Sequence, residues 1–385
     1  MSNPDRIVSA SVSDYSTPHS LVLASRGDAL TPYLFDALQR RFSSVGFIDP
    51  ELTIPQRYRV AALTVRPTRN QWVERFYKSV YGTQLRSANA ARALSSLPQR
   101  ADVVLQVHAL FAQSDSPSVL YVDCTHAQSA ELWPAWNPLQ GRALRAWYRR
   151  EHETYAAARH LFTFSEVTRA SLVGDYGIDP EKVTVTGAGV NFSQLPDLPA
   201  TGRRAPEENP TILFIGNDFV RKGGTVLLDA FQRVRSVLPG ARLQLIGADP
   251  GIRRQPGVDV LGRIADRNLI AAHYARATVF VVPSFFDPYP LVALEAMAFG
   301  LPVIITNQMG TPDMLINGST GLLVEPGSAG ALTTALLRVL REPAFAARLG
   351  AAARRDVELR FTWDAVVDRM APVLERLLAE AGAEA

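Results

Sequence analysis

Residues 281–300 read VVPSFFDPYPLVALEAMAFG. With Val279, the pair Val281 and Val282 makes an apolar run that stops at Pro283, the pattern of a short buried strand. Ser284–Pro290 is a loop, and a helix follows it. Pro288 and Pro290 suit the start of a helix, where a missing N–H costs little and φ near −65° is already set. Leu291, Leu294, Met297 and Ala298 recur at helical spacing and predict one apolar stripe. Gly300 sits where a left-handed C′ glycine ends a helix. Pro302 blocks any continuation, and Val303-Ile304-Ile305 reads as the next buried strand. Strand, loop, helix and strand in succession predict a parallel α/β sheet.

Two carboxylates lie eight positions apart in this stretch, Asp287 before the helix and Glu295 within it. Two helical turns span about 11 Å, and the loop allows Asp287 to fold back, so both can line one cleft beyond the strand. Backbone N–H groups around Tyr289–Ala293 face the same cleft. A helix N-terminus past the end of a parallel strand suits an anion such as a phosphate. The bland alternative is a helix cap at Asp287 and a solvated surface residue at Glu295.

The string P-S-x-x-[DE]-P-x-x-L-V-x-L-E-A-M-A-x-G-x-P-V resembles the Glu-x7-Glu signature of retaining GT-B glycosyltransferases of family four, the glycogen-synthase-like group. Asp287 stands in place of the first Glu, and Pro290 in place of a small residue. The resemblance implies that Asp287 meets hydroxyls of a donor sugar and that Glu295 holds the ribose of a nucleotide. It also makes Tyr289, Pro290, Leu291 and Val292 donor-binding candidates at the helix start.

Length and composition agree with two α/β domains. The 385 residues exceed one ordinary core, and 47% apolar with 20% charged residues is a globular composition. The net charge is +3, with 20 Lys and Arg against 18 Asp and Glu up to Ala200 and 20 against 19 beyond it. Without a basic tail, no nucleic-acid partner is expected. The single cysteine, Cys124, cannot form an intrachain disulfide and fits a reducing compartment. The opening MSNPDRIVSASVSDYS lacks the basic and apolar regions of a signal peptide, and no run is long enough to span a bilayer. The expected location is cytoplasmic.

The first half alternates strand and helix: Ser20–Ala24 and Val45–Ile48 as strands with a helix at Tyr33–Phe42 between them, then Ala101–Val107 and Val119–Val122. The aromatic and basic region 51–100 predicts helices over the sheet edge. His108 follows one strand, and Asp123, Thr125 and His126 follow another, at the sheet end where doubly wound folds bind ligands. His126 is carried over from similar glycosyltransferases as the residue meeting donor sugar or acceptor. Arg142–Arg159 predicts a long helix whose charge is either a solvated face or a peripheral contact with the inner face of a membrane. Ser165 is an N-cap, and Lys182–Thr186 closes the half, with Asn191 where an Asp is usual in the family. Pro- and charge-rich Leu195–Pro210 has linker composition.

A new unit opens at Thr211–Ile215, followed by Gly216 and then Arg221-Lys222-Gly223-Gly224 before a helix. This is neither the Gly-x-Gly-x-x-Gly fingerprint nor a P-loop. Two cations at a helix start oppose the helix dipole, so a bound anion explains them. The passage resembles the family's phosphate-binding motif, with Arg221 and Lys222 neutralising a diphosphate leaving group. In the same family the loop after the Val258–Leu261 strand cups the base, making Arg263 and Ile264 base-site candidates. The expected division is an acceptor domain at 1–195, a linker at 196–209, a nucleotide-sugar domain at 210–362 and a terminal helix at 363–385 packing back on the first domain.

With no Asp-x-Asp pair and no zinc spacing, leaving-group charge falls to Arg221, Lys222 and the helix at Leu291. Neither metal nor cofactor is expected. The implied activity is a hexosyltransferase: retaining transfer of a sugar from a UDP or GDP sugar to an acceptor hydroxyl. The acceptor, whether glycan, lipid-linked sugar, protein or small molecule, is not legible. Two further readings stay open, a GT-B-type nucleotide-sugar epimerase and a catalytically inactive nucleotide-sugar binder.

Overall fold

The computed structural model describes residues 20–112, 116–198, 209–247, 251 and 255–384. The N-terminal half begins β1 (Leu21–Ala24), α1 (Thr31–Arg41), β2 (Val45–Ile48), α2 (Ile54–Thr64), α3 (Arg69–Tyr77) and α4 (Val80–Ser95). It continues β3 (Val103–Val107), β4 (Ser118–Val122), α5 (His126–Leu132), α6 (Gly141–Ala157), β5 (His160–Thr163), α7 (Glu166–Gly174) and β6 (Val183–Val185). The C-terminal half begins β7 (Thr211–Ile215), α8 (Gly224–Val237), β8 (Arg242–Ile246), β9 (Val258–Gly262), α9 (Arg267–Arg276), β10 (Val279–Val282) and α10 (Leu291–Ala298). It ends β11 (Val303–Thr306), α11 (Thr311–Met314), β12 (Leu322–Val324), α12 (Ala329–Arg341), α13 (Pro343–Arg360) and α14 (Trp363–Glu384).

The strands form two six-stranded sheets, ordered β2-β1-β3-β4-β5-β6 and β12-β11-β10-β7-β8-β9. All pairings are parallel. Parallel strands are covered on both faces, which is why β1, β3, β5, β10 and β11 are buried at every position without alternation. Each sheet reverses its winding once, between β1 and β3 in one and between β7 and β10 in the other. These are the positions beyond which open α/β sheets bind ligands. Both sheets are thus doubly wound, with one strand beyond β1 in the first and two beyond β7 in the second, giving two Rossmann-like α/β halves.

Helix α10 departs from the predicted stripe. Ala293 to Ala298 are all buried, Glu295 included. The helix is enclosed by its own sheet and by α13, with which it makes close contact. A helix packed on several sides has no solvated face to keep polar. The reading of Glu295 as a surface residue is therefore excluded. The helix predicted over Arg142–Arg159 ends at Ala157, and its basic residues do not share one face. Arg142, Arg145 and Arg149 are exposed. Arg150 turns inward, its guanidinium 4.0 Å from the Trp147 ring and Nη1 donating to the Ala109 carbonyl at 2.9 Å. Of the expected linker 196–209, residues 199–208 lie outside the described residues.

Helix α14 lies along α1, with Val366, Met370 and Leu374 sharing a core with Leu34 and Leu38. Arg40 reaches Asp364 at 2.7 Å and Arg41 reaches Glu375 at 2.5 Å. These pairs are half-exposed and contribute little beside the apolar contact. Trp363 anchors the helix start. It is 3% exposed, and its Nε1–H donates to Asn191 Oδ1 at 3.2 Å. Its ring meets the edge of Tyr121, and a Cβ at Gly189 would fall 2.5 Å from the indole. Only glycine leaves room there.

Trp363→Ala removes this anchor and leaves Asn191 Oδ1 without its donor. It should cost about 3–5 kcal/mol of stability, the range for buried aromatic truncation, read from the denaturant midpoint of purified protein.

Candidate active site

The loops after β7 and β10 meet at the winding reversal of the C-terminal sheet. Gly223, the residue before α8, has φ +75°, and a Cβ there would lie 1.8 Å from the Pro283 carbonyl oxygen. Glycine is required both for the backbone angle and for this approach. The close contact draws Arg221 and Lys222 onto the loop 283–290. The Phe285 N–H donates to the Arg221 carbonyl at 2.8 Å, and Arg221 Nη1 donates to the Phe286 carbonyl at 2.7 Å. Lys222 Nζ donates to Asp287 Oδ2 in a pair with little solvent exposure. Asp287 does fold back across the helix start, as the loop length allows. Leu291 and Val292 open α10 with N–H groups that precede any intrahelical carbonyl.

Glu295 occupies the other end of this motif. Its Oε1 accepts from Arg267 Nη2 at 2.9 Å, and its Oε2 accepts from the Tyr274 hydroxyl at 3.0 Å. Burial, with the Glu295 charge beside it, pushes the Tyr274 phenol well above its ordinary range. Arg267 also donates to the Asn191 carbonyl at 3.0 Å. The carboxylate thus ties α10 to α9 and to the segment after β6.

Across from these loops, the ends of β1, β3 and β4 carry a charged cluster. His108 Nδ1 lies 3.1 Å from Asp123 Oδ1, and Nε2 lies 3.4 Å from Asp28 Oδ2. Burial opposes charge on this imidazole, but the two carboxylates outweigh it and push its pKa up to about 10. Burial likewise raises Asp28, yet His108 and Arg26 together hold it down at about 2. His108 has φ 60°, a left-handed angle uncommon outside glycine. Such backbone strain persists where surrounding contacts hold it and clusters at functional sites.

His126 is placed differently from the expectation that it meets the sugar from an open loop. It starts α5, is 3% exposed, and packs on Trp147 and Tyr148. Burial, with Lys78 and Arg150 nearby, pushes its pKa down to about 3. A pocket of about 300 Å³ lies above it and also takes in Arg26, His108, Asp123, Trp136 and, from the other half, Pro288. The N-terminal residue at the mouth of this pocket is therefore His108. Its position after an apolar strand marked it in the sequence, but no motif did. Trp136 had no sequence signal at all. It reaches across the halves, its ring 4.7 Å from the Arg221 guanidinium and 5.3 Å from the Phe286 ring.

The remaining expected residues divide. Gly216 is buried beside Lys222, where a Cβ would meet its Cγ at 3.0 Å. Arg263 is exposed beyond β9, and Ile264 packs against the core. Tyr289 turns its ring away from the loop and sets it edge-on against Phe164 of the other half. Pro290 caps α10 without a side-chain bond. The structure brings Gly216, Arg221, Lys222, Asp287 and the start of α10 to one sheet end. Glu295 lies about one turn further into the helix, and His126 is buried among the residues lining the N-terminal pocket.

Residues 209–342 match the family model described as glycosyl transferases group 1. Glycogen synthase of Mycobacterium tuberculosis is 28% identical over 295 residues, covering 71% of this chain and 68% of that protein. D-inositol 3-phosphate glycosyltransferase of Thermobifida fusca is 30% identical over 243 residues, covering 57% and 56%. Among solved structures, sucrose-phosphate synthase of Thermosynechococcus elongatus superposes with a TM-score of 0.66 at 22% identity, covering 94% of this chain and all of that one. Anabaena HepE in complex with UDP and glucose gives 0.58 at 15% identity, covering 93% and 99%. The chain has the GT-B fold, and its residues 209–342 are those of a group 1 glycosyltransferase.

The His108 cluster makes stability depend on pH in a defined direction. The His108 pKa rises from 6.5 to about 10 on folding, so its contribution is full below pH 6.5 and is lost as pH climbs through about 10. Asp28, lowered from 3.8 to about 2, contributes above pH 3.8 and loses its share as pH falls through about 2. His108→Asn keeps a residue that tolerates the left-handed angle. The stability gap between wild type and this variant should be flat from about pH 4 to 6.5 and narrow toward pH 10. Denaturant unfolding across that range measures it.

Proposed function

We propose that the chain transfers a hexosyl group from a UDP or GDP sugar to an acceptor hydroxyl, with retention at the anomeric carbon and without a metal ion or other cofactor. The observation that carries this reading is the convergence of Arg221, Lys222, Asp287 and the start of α10 at the winding reversal between β7 and β10. As the bond between anomeric carbon and diphosphate breaks, negative charge grows on the departing phosphate. Two cations and a helix N-terminus fixed in place stabilise that charge without reorganising. Asp287 takes the donor sugar's hydroxyls, Glu295 the ribose, and the backbone of 262–264 the base. Tyr289, Pro290, Leu291 and Val292 form the bed of the donor through their backbone. Residues 1–195 form the acceptor domain and 210–362 the donor domain, with 363–385 returning to the first. Nucleotide sugars as donors are supported by the UDP and glucose bound in HepE, and hexosyl transfer by the names of the relatives.

The deciding experiment is a melting-curve screen with UDP, GDP, ADP and dTDP and their common sugars. A nucleotide at a hundredfold excess over its Kd should stabilise by about 2.7 kcal/mol. A shift with UDP or GDP is expected; none with any nucleotide would favour an inactive cleft. Asp287→Asn preserves shape and removes charge. It should lower transfer at saturating donor by at least about tenfold, equivalent to about 1.4 kcal/mol of barrier, assayed well below the melting temperature of the variant, which falls because Lys222 loses its buried partner.

A second surface that suits membrane contact, in addition to α6, is α2 and its following loop. Ile54, Tyr58, Leu63 and Val65 are 71%, 74%, 70% and 55% exposed, with Arg57, Arg59 and Arg69 exposed around them. Apolar anchors among arginines suit an anionic bilayer surface. No helix among the described residues is long and apolar enough to cross a membrane. Ile54→Ser with Tyr58→Ser should abolish co-sedimentation with anionic vesicles. Equal sedimentation of variant and wild type would discard this surface.

A further inference from the structure

The N-terminal pocket constrains what can be glycosylated. Pro288 lines it beside Asp287, so a molecule held there adjoins the proposed donor cleft. Its volume of about 300 Å³ is at the low end for small-molecule sites. Tyr77 and Trp136 line it as half-buried rings, and Trp147 and Tyr155 are buried in its wall.

The cations that line this pocket, Arg26, Lys78 and His108, are each already engaged. Arg26 pairs with Asp28 at 3.3 Å and Glu51 at 3.6 Å and lies over the Tyr77 ring. Lys78 donates to the Trp136 carbonyl and to Asn137 Oδ1 at 2.9 Å, with Glu74 at 3.8 Å. His108 sits between Asp28 and Asp123. Arg150, the next guanidinium, does not line the pocket and lies over Trp147. A phosphate entering here would compete with these partners, as one at Lys222 competes with Asp287. It would also face Glu74, Asp123 and Glu151, which line the same space.

The floor shows the opposite need. Both ring nitrogens of His126 and the Nε1–H of Trp147 are buried without a protein partner, and the residues are 3% and 2% exposed. Buried polar groups are ordinarily hydrogen-bonded. A neutral imidazole presents one donor and one acceptor, and the indole presents a donor. A hydroxyl group can both give and accept a hydrogen bond; a phosphate dianion can only accept.

We propose that this pocket selects an uncharged, polyhydroxylated acceptor, a sugar or polyol, over a phosphorylated one, with its hydroxyls on His126 and Trp147. The proposal rests on the transferase reading above for the meaning of "acceptor", but the pocket's preference can be measured without a donor. Neutral sugars and polyols (glucose, mannose, maltose, inositol) and their phosphates are titrated calorimetrically into the full chain, alone and with whichever nucleotide binds. Transfer kinetics follow where a donor is found.

At least one neutral compound should bind, and be used, about tenfold or more better than its phosphate, the scale of one well-placed polar contrast. Trp147→Phe keeps the ring and removes the N–H. It should weaken neutral-acceptor binding and raise acceptor KM by at least about fivefold, the worth of one hydrogen bond, while donor KM and melting temperature hold. Tighter binding of the phosphorylated compounds, binding of neither class, or wild-type acceptor affinity in both Trp147→Phe and His126→Asn would overturn the proposal. Failure of every nucleotide to bind would defeat the donor assignment alone. The sugar titrations then still decide the pocket.

Discussion

The carboxylate of Glu295 organises more of this molecule than any other single group. It is buried on a helix that is itself enclosed, and it is held by Arg267 and Tyr274. Arg267 extends the chain of contacts to the Asn191 carbonyl, and the Asn191 side chain receives the Trp363 indole N–H. One line of hydrogen bonds therefore runs from the motif helix, through α9, to the last segment of the N-terminal half and the first turn of α14. A buried charge without such partners would be very costly. The demand for partners is what ties these four elements together, and it sets the position of one half relative to the other.

Tyr289 meets Phe164 within this same junction, beside Tyr121 and Trp363. The second junction is Trp136, which reaches over Arg221 and Phe286. These contacts are aromatic and few, whereas the hydrophobic packing of α14 on α1 is extensive. The halves are thus joined more extensively at the terminal helix than beside the pocket.

The candidate site also divides by chemistry. The C-terminal side offers cations and a helix N-terminus, which suit a diphosphate. The N-terminal side offers balanced charge, aromatic walls and buried neutral donors and acceptors. The two Rossmann-like halves differ in the chemistry at their strand ends, because that chemistry belongs to the loops beyond the strands and not to the sheets beneath them.

What the sequence determined by itself was local and periodic. The strands at Ser20–Ala24, Thr211–Ile215 and Val303-Ile304-Ile305 were legible as apolar runs, because central parallel strands are covered on both faces. The Ser165 cap and the glycines after Arg221-Lys222 were legible because their side-chain chemistry is short-range. Asp287, Lys222 and Glu295 were legible through spacing along one helix and its approach. The tertiary structure alone decided the rest. That α10 is buried all round followed from contacts with α13, more than forty residues away. That His126 is a floor and His108 a rim followed from how α5 and α6 pack over β4. The partners of Glu295 come from three separate segments. Spacing encodes what neighbouring residues can do; it does not encode which distant segments surround a buried charge, because that depends on the packing of the whole chain.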